Sequence, residues 1–370
     1  MKTSRSITRG LTRRQMIKYT GAGLVAGAAS ASLGKLMASP AESAEMPFAG
    51  AGITGPVPVS LIVDDGAPVD PLFYELPGYE TPFLVPHEFT KQVADTFDRF
   101  DLRGKFTLIP MPSCLGRLDK SLKRVPQAHL EEFLRLFRER IAPRFDITPE
   151  YLTHLNAYSL KSERFMHIYE DVWITQAPPE EIVEYFKLAF QILKNVGIES
   201  NGITSPWVSG IDVEKKYAKA VGDAQWDLFN RKVTWYFLNA ASDNETPFPM
   251  SVQYRNEERG QSVVSVPSNA GDIFWTMDEP DREKRKTMIK DGIDRLVSPD
   301  GRTGRIRDLM ERGLPVVIVT HWQSLFTQGT GLGLEGLTAL AERMKKVFGS
   351  GIEWVSCYEM AKRFVAAQTT

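Results

Sequence analysis

Two adjacent carboxylates, Asp64 and Asp65, end the apolar run Val59-Ser60-Leu61-Ile62-Val63, and Gly66 follows them. Such a run reads as a buried strand. Two like charges at the mouth of a buried strand are electrostatically costly, so the arrangement suggests a use. The common use is a division of labour, in which one Asp binds a metal and the other takes a proton. A strand that simply ends in a solvated Asp-Gly turn would use the same residues. A second candidate lies far along the chain: His321 closes the strongly apolar run Leu314–Thr320 and precedes Trp322-Gln323-Ser324. An imidazole so placed is suited to proton transfer near neutral pH. His154, within Leu152-Thr153-His154-Leu155-Asn156, suits either a ligand or a hydrogen-bonded core histidine. His87 precedes a helix and His129 lies on a polar helix face, where turn, cap or solvated roles are the simpler reading.

The elements that must position these groups alternate between strand and helix. Expected strands cover 59–63, 105–109, 232–238, 314–320 and 352–356, with 202–204 leading into Ser205-Pro206-Trp207 and a strand pair around Gly260. Expected helices cover 88–101, 127–141, 179–196, 213–230, 282–296, 305–312 and 334–348. The helix from Pro179 is the clearest: Pro-Glu-Glu opens its first turn and Gly197 closes it. Residues 151–158 read either as strand and loop or as a helical turn. Alternating units imply a parallel sheet with helices outside. Seven or eight of them suit an irregular (β/α)7-8 barrel better than an open sheet. Asp64-Asp65, Pro110-Met111-Pro112, Ser205-Pro206-Trp207, Trp235-Tyr236 and His321-Trp322 all fall at the C-terminal ends of expected strands. In a parallel barrel that face carries the active site. The glycines of Gly329-Thr330-Gly331-Leu332-Gly333 lie too far from a strand for a dinucleotide loop and read as a flexible loop over the barrel mouth.

The N-terminus reads differently from the rest. Thr12-Arg13-Arg14-Gln15-Met16-Ile17-Lys18 matches a twin-arginine export signal, and a Gly/Ala-rich, weakly apolar stretch follows it. That stretch is too broken for a membrane span. The expected organisation is a signal and linker over 1–44 and one barrel domain over 45–370, with delivery to the periplasm or outside by the twin-arginine machinery. Residues 1–44 hold seven basic side chains and one acidic, so the remainder has 38 basic and 45 acidic residues. A mildly acidic body argues against nucleic acid as a partner. Cys114 and Cys357 do not make a disulfide framework, although an exported protein could form one bridge. The absence of a G-x-S-x-G elbow argues against a serine hydrolase.

The order of these features resembles the polysaccharide deacetylase superfamily, carbohydrate esterase family 4. The residues that carry the resemblance are Asp64-Asp65-Gly66, the second strand Gly104-Lys105-Phe106-Thr107-Leu108, His154, Ser205-Pro206-Trp207, Trp235 and Val319-Thr320-His321. They span about Pro58 to Val355. The resemblance implies Asp64 as general base, Asp65 and His154 as metal ligands, and His321 as the acid that protonates the leaving amine. It implies a divalent metal, with zinc the first expectation, to polarise the acyl carbonyl and favour the attacking water. It also implies a carbohydrate substrate held against Pro206, Trp207, Trp235 and Trp322.

The chain departs from that family in two places. The family's metal motif has two histidines four residues apart, and the position four after His154 is Tyr158; Asn156, His87 and His167 are the alternative third donors. The arginine that usually orients the base is replaced by Ser205. A glycosidase using Asp64 or Asp65 with a distant carboxylate, and a catalytically silent carbohydrate-binding barrel, are the competing readings.

Overall fold

The structure is a computed structural model and describes residues 55–70 and 84–368. The export-signal reading of 1–44 lies outside the described residues. In chain order the strands are β1 (Val57–Asp64), β2 (Gly104–Thr107), β3 (Phe145–Thr148), β4 (Asn156–Ser159), β5 (Arg164–Tyr169), β6 (Gly202–Thr204), β7 (Val233–Phe237), β8 (Ser251–Asn256), β9 (Gln261–Ser265), β10 (Val316–His321) and β11 (Ile352–Trp354). The α-helices are α1 (His87–Phe100), α2 (Gln127–Leu136), α3 (Glu170–Gln176), α4 (Pro179–Asn195), α5 (Glu214–Phe229), α6 (Arg282–Leu296), α7 (Arg305–Glu311), α8 (Trp322–Phe326), α9 (Leu332–Phe348) and α10 (Cys357–Ala367). None of them is long and apolar enough to cross a membrane.

One sheet runs β10-β1-β2-β3, all parallel, with β11 also pairing β1; a second runs β6-β7-β9-β8, in which β8 is the antiparallel strand. The two sheets meet at single parallel bridges, Glu150 to Thr204 on one side and Ala270 to Ile318 on the other. The staves β1, β2, β3, β6, β7, β9 and β10 therefore follow one another around an irregular (β/α) barrel whose two seams are bridges rather than full ladders. The Glu150–Thr204 seam places a carboxylate at the strand ends, where it faces the site.

Local sequence explains the main elements. β1 is flanked by parallel strands, so its run up to Val63 is apolar apart from the buried Ser60 instead of alternating. Gly104 sits where an added Cβ would come 1.8 Å from the Leu61 carbonyl oxygen, so only glycine lets β2 close on β1. In α4, Pro179 starts the helix, Glu180 and Glu181 face its positive end, and Ile182, Tyr185, Phe186, Ala189, Phe190 and Leu193 form its buried stripe. The helix expected over 127–141 is α2 followed by a wider π-turn at 137–141, which brings Phe137 and Ile141 into the core.

Two regions differ from expectation. Residues 145–148 form a strand, and 156–159 pair with 164–169 as a hairpin outside the barrel. The glycine-rich stretch at 329–333 is a tight turn into α9 and not a loose loop: Gly333 packs where an added Cβ would come 1.9 Å from the Ser324 carbonyl oxygen. Neither Cys114 nor Cys357 is in a disulfide, and Cys357 Sγ lies 3.3 Å from Ser60 Oγ.

Candidate active site and metal centre

β1 and β10 are neighbours in register, with Asp64 opposite His321. The first carboxylate and the imidazole are thus delivered to one place by two adjacent strands. Asp65, one residue past β1, has φ 63°. This left-handed conformation is tolerable for Asp and turns its side chain away from the path of Asp64. Gly66 is not the left-handed residue. It is needed because a Cβ there would stand 2.1 Å from the Thr107 carbonyl oxygen. His154 (φ 59°) and Trp207 (φ 53°) are also left-handed. Strained residues gathered at strand ends are characteristic of sites whose geometry is imposed by the surrounding fold.

Asp64 is buried and held from β2. Lys105 Nζ ion-pairs with its Oδ1, and Thr107 Oγ1 donates to the same oxygen at 2.7 Å. Lys105 is fully buried, also donates to Thr107 Oγ1 at 2.9 Å, and lies 5.0 Å from the centre of the Phe237 ring. Both contacts fall on Oδ1, so Oδ2 is the oxygen left to receive a proton. Lys105 supplies the cation that the sequence lacks at Ser205. Ser205 itself turns toward Tyr151, at 3.5 Å from its hydroxyl.

Asp65 belongs to a different cluster. Its Oδ1 lies 3.0 Å from His154 Nε2, and that nitrogen lies 3.3 Å from Glu150 Oε1. One donor atom from each of Asp65, Glu150 and His154 lies within 4.8 Å of the other two. Gln323 Nε2 donates to Asp65 Oδ2, and the Asp65 backbone amide donates to Glu150 Oε2 at 3.3 Å. Asp65 Oδ1 is buried and faces the His154 ring nitrogen. A buried carboxylate oxygen facing an imidazole nitrogen and a second carboxylate is suited to a divalent cation. Burial opposes ionisation of Asp65, but His154 beside it and His321 nearby outweigh burial and hold its carboxyl well below the usual range. Glu150 moves the other way: burial, then the Asp65 charge, push it well above its usual value. A cation between the two would remove that conflict.

Glu150 was not among the expected ligands. Glu150 lies four residues before His154, and these two are the cluster members separated by four residues. Tyr158 is outside the cluster: it sits on β4, edge-on to Phe165. Asn156 ties the hairpin through Met166 O at 2.8 Å, His87 stacks on His129 with ring centres 4.3 Å apart, and His167 lies exposed on β5. None of these three joins the cluster.

The loop that carries His154 is organised by Glu170, at the start of α3. Its Oε1 accepts from the amides of Leu152 (2.9 Å) and Thr153 (3.0 Å) and from the Tyr185 hydroxyl (2.6 Å); its Oε2 accepts from the His154 amide at 2.9 Å. Burial pushes this carboxyl up to about 7 against the pull of those donors.

On the β10 side, His321 Nδ1 lies 2.7 Å from Asp272 Oδ2. Asp272 also accepts from the His321 amide (3.1 Å), Ser324 Oγ (2.5 Å) and Thr320 Oγ1 (3.2 Å). Burial disfavours the imidazolium, but the Asp272 hydrogen bond and the charges of Asp65, Asp272 and Asp64 carry His321 up to about 9. The pairing fixes Nδ1 as the held nitrogen and leaves Nε2 to act.

The aromatic residues divide. Trp207 stands edge-on to His154 at 4.8 Å between ring centres, and Trp275, which the sequence did not single out, stands edge-on to His321 at 5.3 Å. Trp235 and Trp322 are 0% and 1% exposed. Trp235 bonds to Asn201 Oδ1 and Trp322 packs on Phe89 and Phe106, so neither offers a face to a ligand. Pro206, which precedes Trp207, is buried.

The strand order defines an irregular (β/α)7-8 barrel, and its strand ends carry the candidate site. Among solved structures, a Mycobacterium smegmatis protein assigned as a polysaccharide deacetylase is similar over 87% of this chain and 95% of its own, with a TM-score of 0.50 at 11% identity. The chitin deacetylase of the fungal pathogen Colletotrichum lindemuthianum is similar over 83% of this chain and 88% of its own, with a TM-score of 0.41 at 12% identity. No model of a known family matches the sequence, and no curated protein matches it. The likeness to the Mycobacterium smegmatis protein is one of fold.

Proposed function

We propose that this protein is an exported, metal-dependent hydrolase that removes acetyl or similar acyl groups from a carbohydrate. The observation that carries the reading is the convergence of three groups at adjacent strand ends. They are a proton acceptor (Asp64), a cation-ready donor cluster (Asp65, Glu150, His154) and a proton donor (His321).

Asp65, Glu150 and His154 would hold the metal, which when bound polarises the acyl carbonyl and stabilises the charge that develops on it. Asp64 takes the proton from the attacking water through Oδ2, while Lys105 and Thr107 fix Oδ1. His321, charged and held through Nδ1 by Asp272, gives a proton from Nε2 to the departing amine or alcohol. Trp207 and Trp275 wall the opening on the ligand side and the acid side. Their apolar faces suit a sugar ring and an acetyl methyl. The twin-arginine pattern at Arg13-Arg14 supports export of the folded chain to the periplasm or beyond, and the acidic balance of residues 45–370 suits an uncharged or cationic glycan.

The test is to load the purified protein with a divalent cation, count the bound metal, and supply N-acetylated and O-acetylated oligosaccharides. Acetate release with chain length unchanged supports the reading. Shortened chains would indicate a glycosidase, and saccharide binding without any product would indicate a silent barrel; either result sinks it.

A further inference from the structure

The charges of the pocket can be paired off. Asp64 is neutralised by Lys105, and Asp272 by His321. Asp65 and Glu150 remain, two carboxylates in residues only 4% and 2% exposed, converging on one imidazole. The donor set is thus two carboxylate oxygens and one nitrogen, and once a cation relieves the repulsion that disfavours ionised Glu150 it carries two negatives. A set with histidine at position 150 would have one oxygen, two nitrogens and a single negative charge.

From this difference we infer that Glu150 sets metal choice, shifting the centre away from zinc and toward harder, oxygen-preferring divalent cations of the manganese class. The inference rests on the metal-centre reading above. Imidazole favours zinc, cobalt and nickel, while carboxylate suits magnesium, manganese and calcium. Affinity rises from manganese to zinc along the first-row series, and nitrogen donors contribute strongly to that rise. Exchanging a nitrogen for an oxygen therefore narrows zinc's advantage. The second carboxylate contributes charge attraction that any divalent cation feels equally, so the ratio of affinities, and not either affinity alone, carries the signature. Glu150 can act this way because its position is fixed. It sits at the β3–β6 seam, bridged to Thr204, with its Oε2 accepting from the Asp65 amide at 3.3 Å. Its Oε1 then points at His154 Nε2 from 3.3 Å.

The experiment is calorimetric titration of the metal-stripped full chain with Zn²⁺ and with Mn²⁺, repeated for Glu150→His and Glu150→Gln, with circular dichroism to confirm folding. The wild type is expected to bind both ions. In Glu150→His the zinc-to-manganese affinity ratio should rise by about tenfold or more, chiefly through weaker manganese binding. Glu150→Gln, which keeps the shape and removes the charge, should weaken both ions by about tenfold or more, as loss of a ligand requires, and keeps the inference falsifiable if the histidine variant does not fold. An unchanged ratio in Glu150→His, or wild-type manganese affinity in Glu150→Gln, overturns the inference. If the wild type binds neither ion, the metal-centre reading itself fails, which is a different result from an unchanged ratio.

Discussion

Asp272 Oδ2 lies 2.7 Å from His321 Nδ1 and accepts from the His321 backbone amide as well, so one carboxylate fixes both the ring and the chain that bears it. His321 is raised from 6.5 to about 9. A raised base stabilises the fold fully below its unfolded value, near 6.5, and that contribution is lost as pH rises through about 9. Activity that needs the imidazolium should follow the same direction, with an alkaline limb. Replacing Asp272 by Asn removes the strongest contribution to the charged form, and the limb should move to lower pH by about a unit or more. A bound cation, by neutralising Asp65, should also lower it. A pH–rate profile of wild type and Asp272→Asn, with and without saturating metal, checks both; an unmoved limb would contradict the acid role of His321.

Lys105 is a buried cation whose carboxylate partner is Asp64. Removing one member of such a pair leaves the other charge uncompensated, typically at about 3–5 kcal/mol. Lys105→Met should therefore lower unfolding stability by about that amount. Its kcat should fall more than its KM rises, because Asp64 loses its fixed orientation. Metal content, set by a separate cluster, should remain near wild type. Chemical denaturation, steady-state kinetics and metal analysis on the same preparation separate these effects.

Glu170→Gln exchanges one acceptor oxygen for an NH₂ group. Whichever way the amide turns, at least one of the amides now bonded, Leu152, Thr153 or His154, faces a donor. The expected cost is about 1–3 kcal/mol in stability. Because His154 is held in a left-handed conformation by this contact, metal affinity should fall as well. Equal metal affinity in the variant would show that the loop holds its shape without Glu170.

Much of the frame was legible in the chain. β1 and β10 stand out because strands covered on both faces are apolar along most of their length, and α4 because its Pro-Glu-Glu start and helical stripe agree. The site was legible where a polar residue ends such a strand, as at Asp64 and His321. It was not legible where the strand was too short to register. β3 has four residues, one of them Asp146, and with the strand unseen Glu150 was not recognised as lying at its mouth. The signal was nonetheless present, a carboxylate four residues before His154. Lys105 was visible as a charge within an apolar strand, but its partner lies 41 residues away. Asp272 and Glu170 act through contacts made across the fold, and nothing in their local sequence marks them. The two tryptophans that proved to be core, Trp235 and Trp322, adjoin strand ends as Trp207 does; only packing tells an inward ring from an outward one.

The central claim is that Asp64 accepts the proton of the attacking water while a separate cluster holds the metal. The most direct measurement is acetate release from an acetylated oligosaccharide by metal-loaded wild type and Asp64→Asn, with bound metal counted in both. The account predicts full metal occupancy in the variant and a loss of turnover of about 10²–10⁴-fold, the usual contribution of a positioned base. Wild-type turnover in Asp64→Asn with the metal still bound would contradict it.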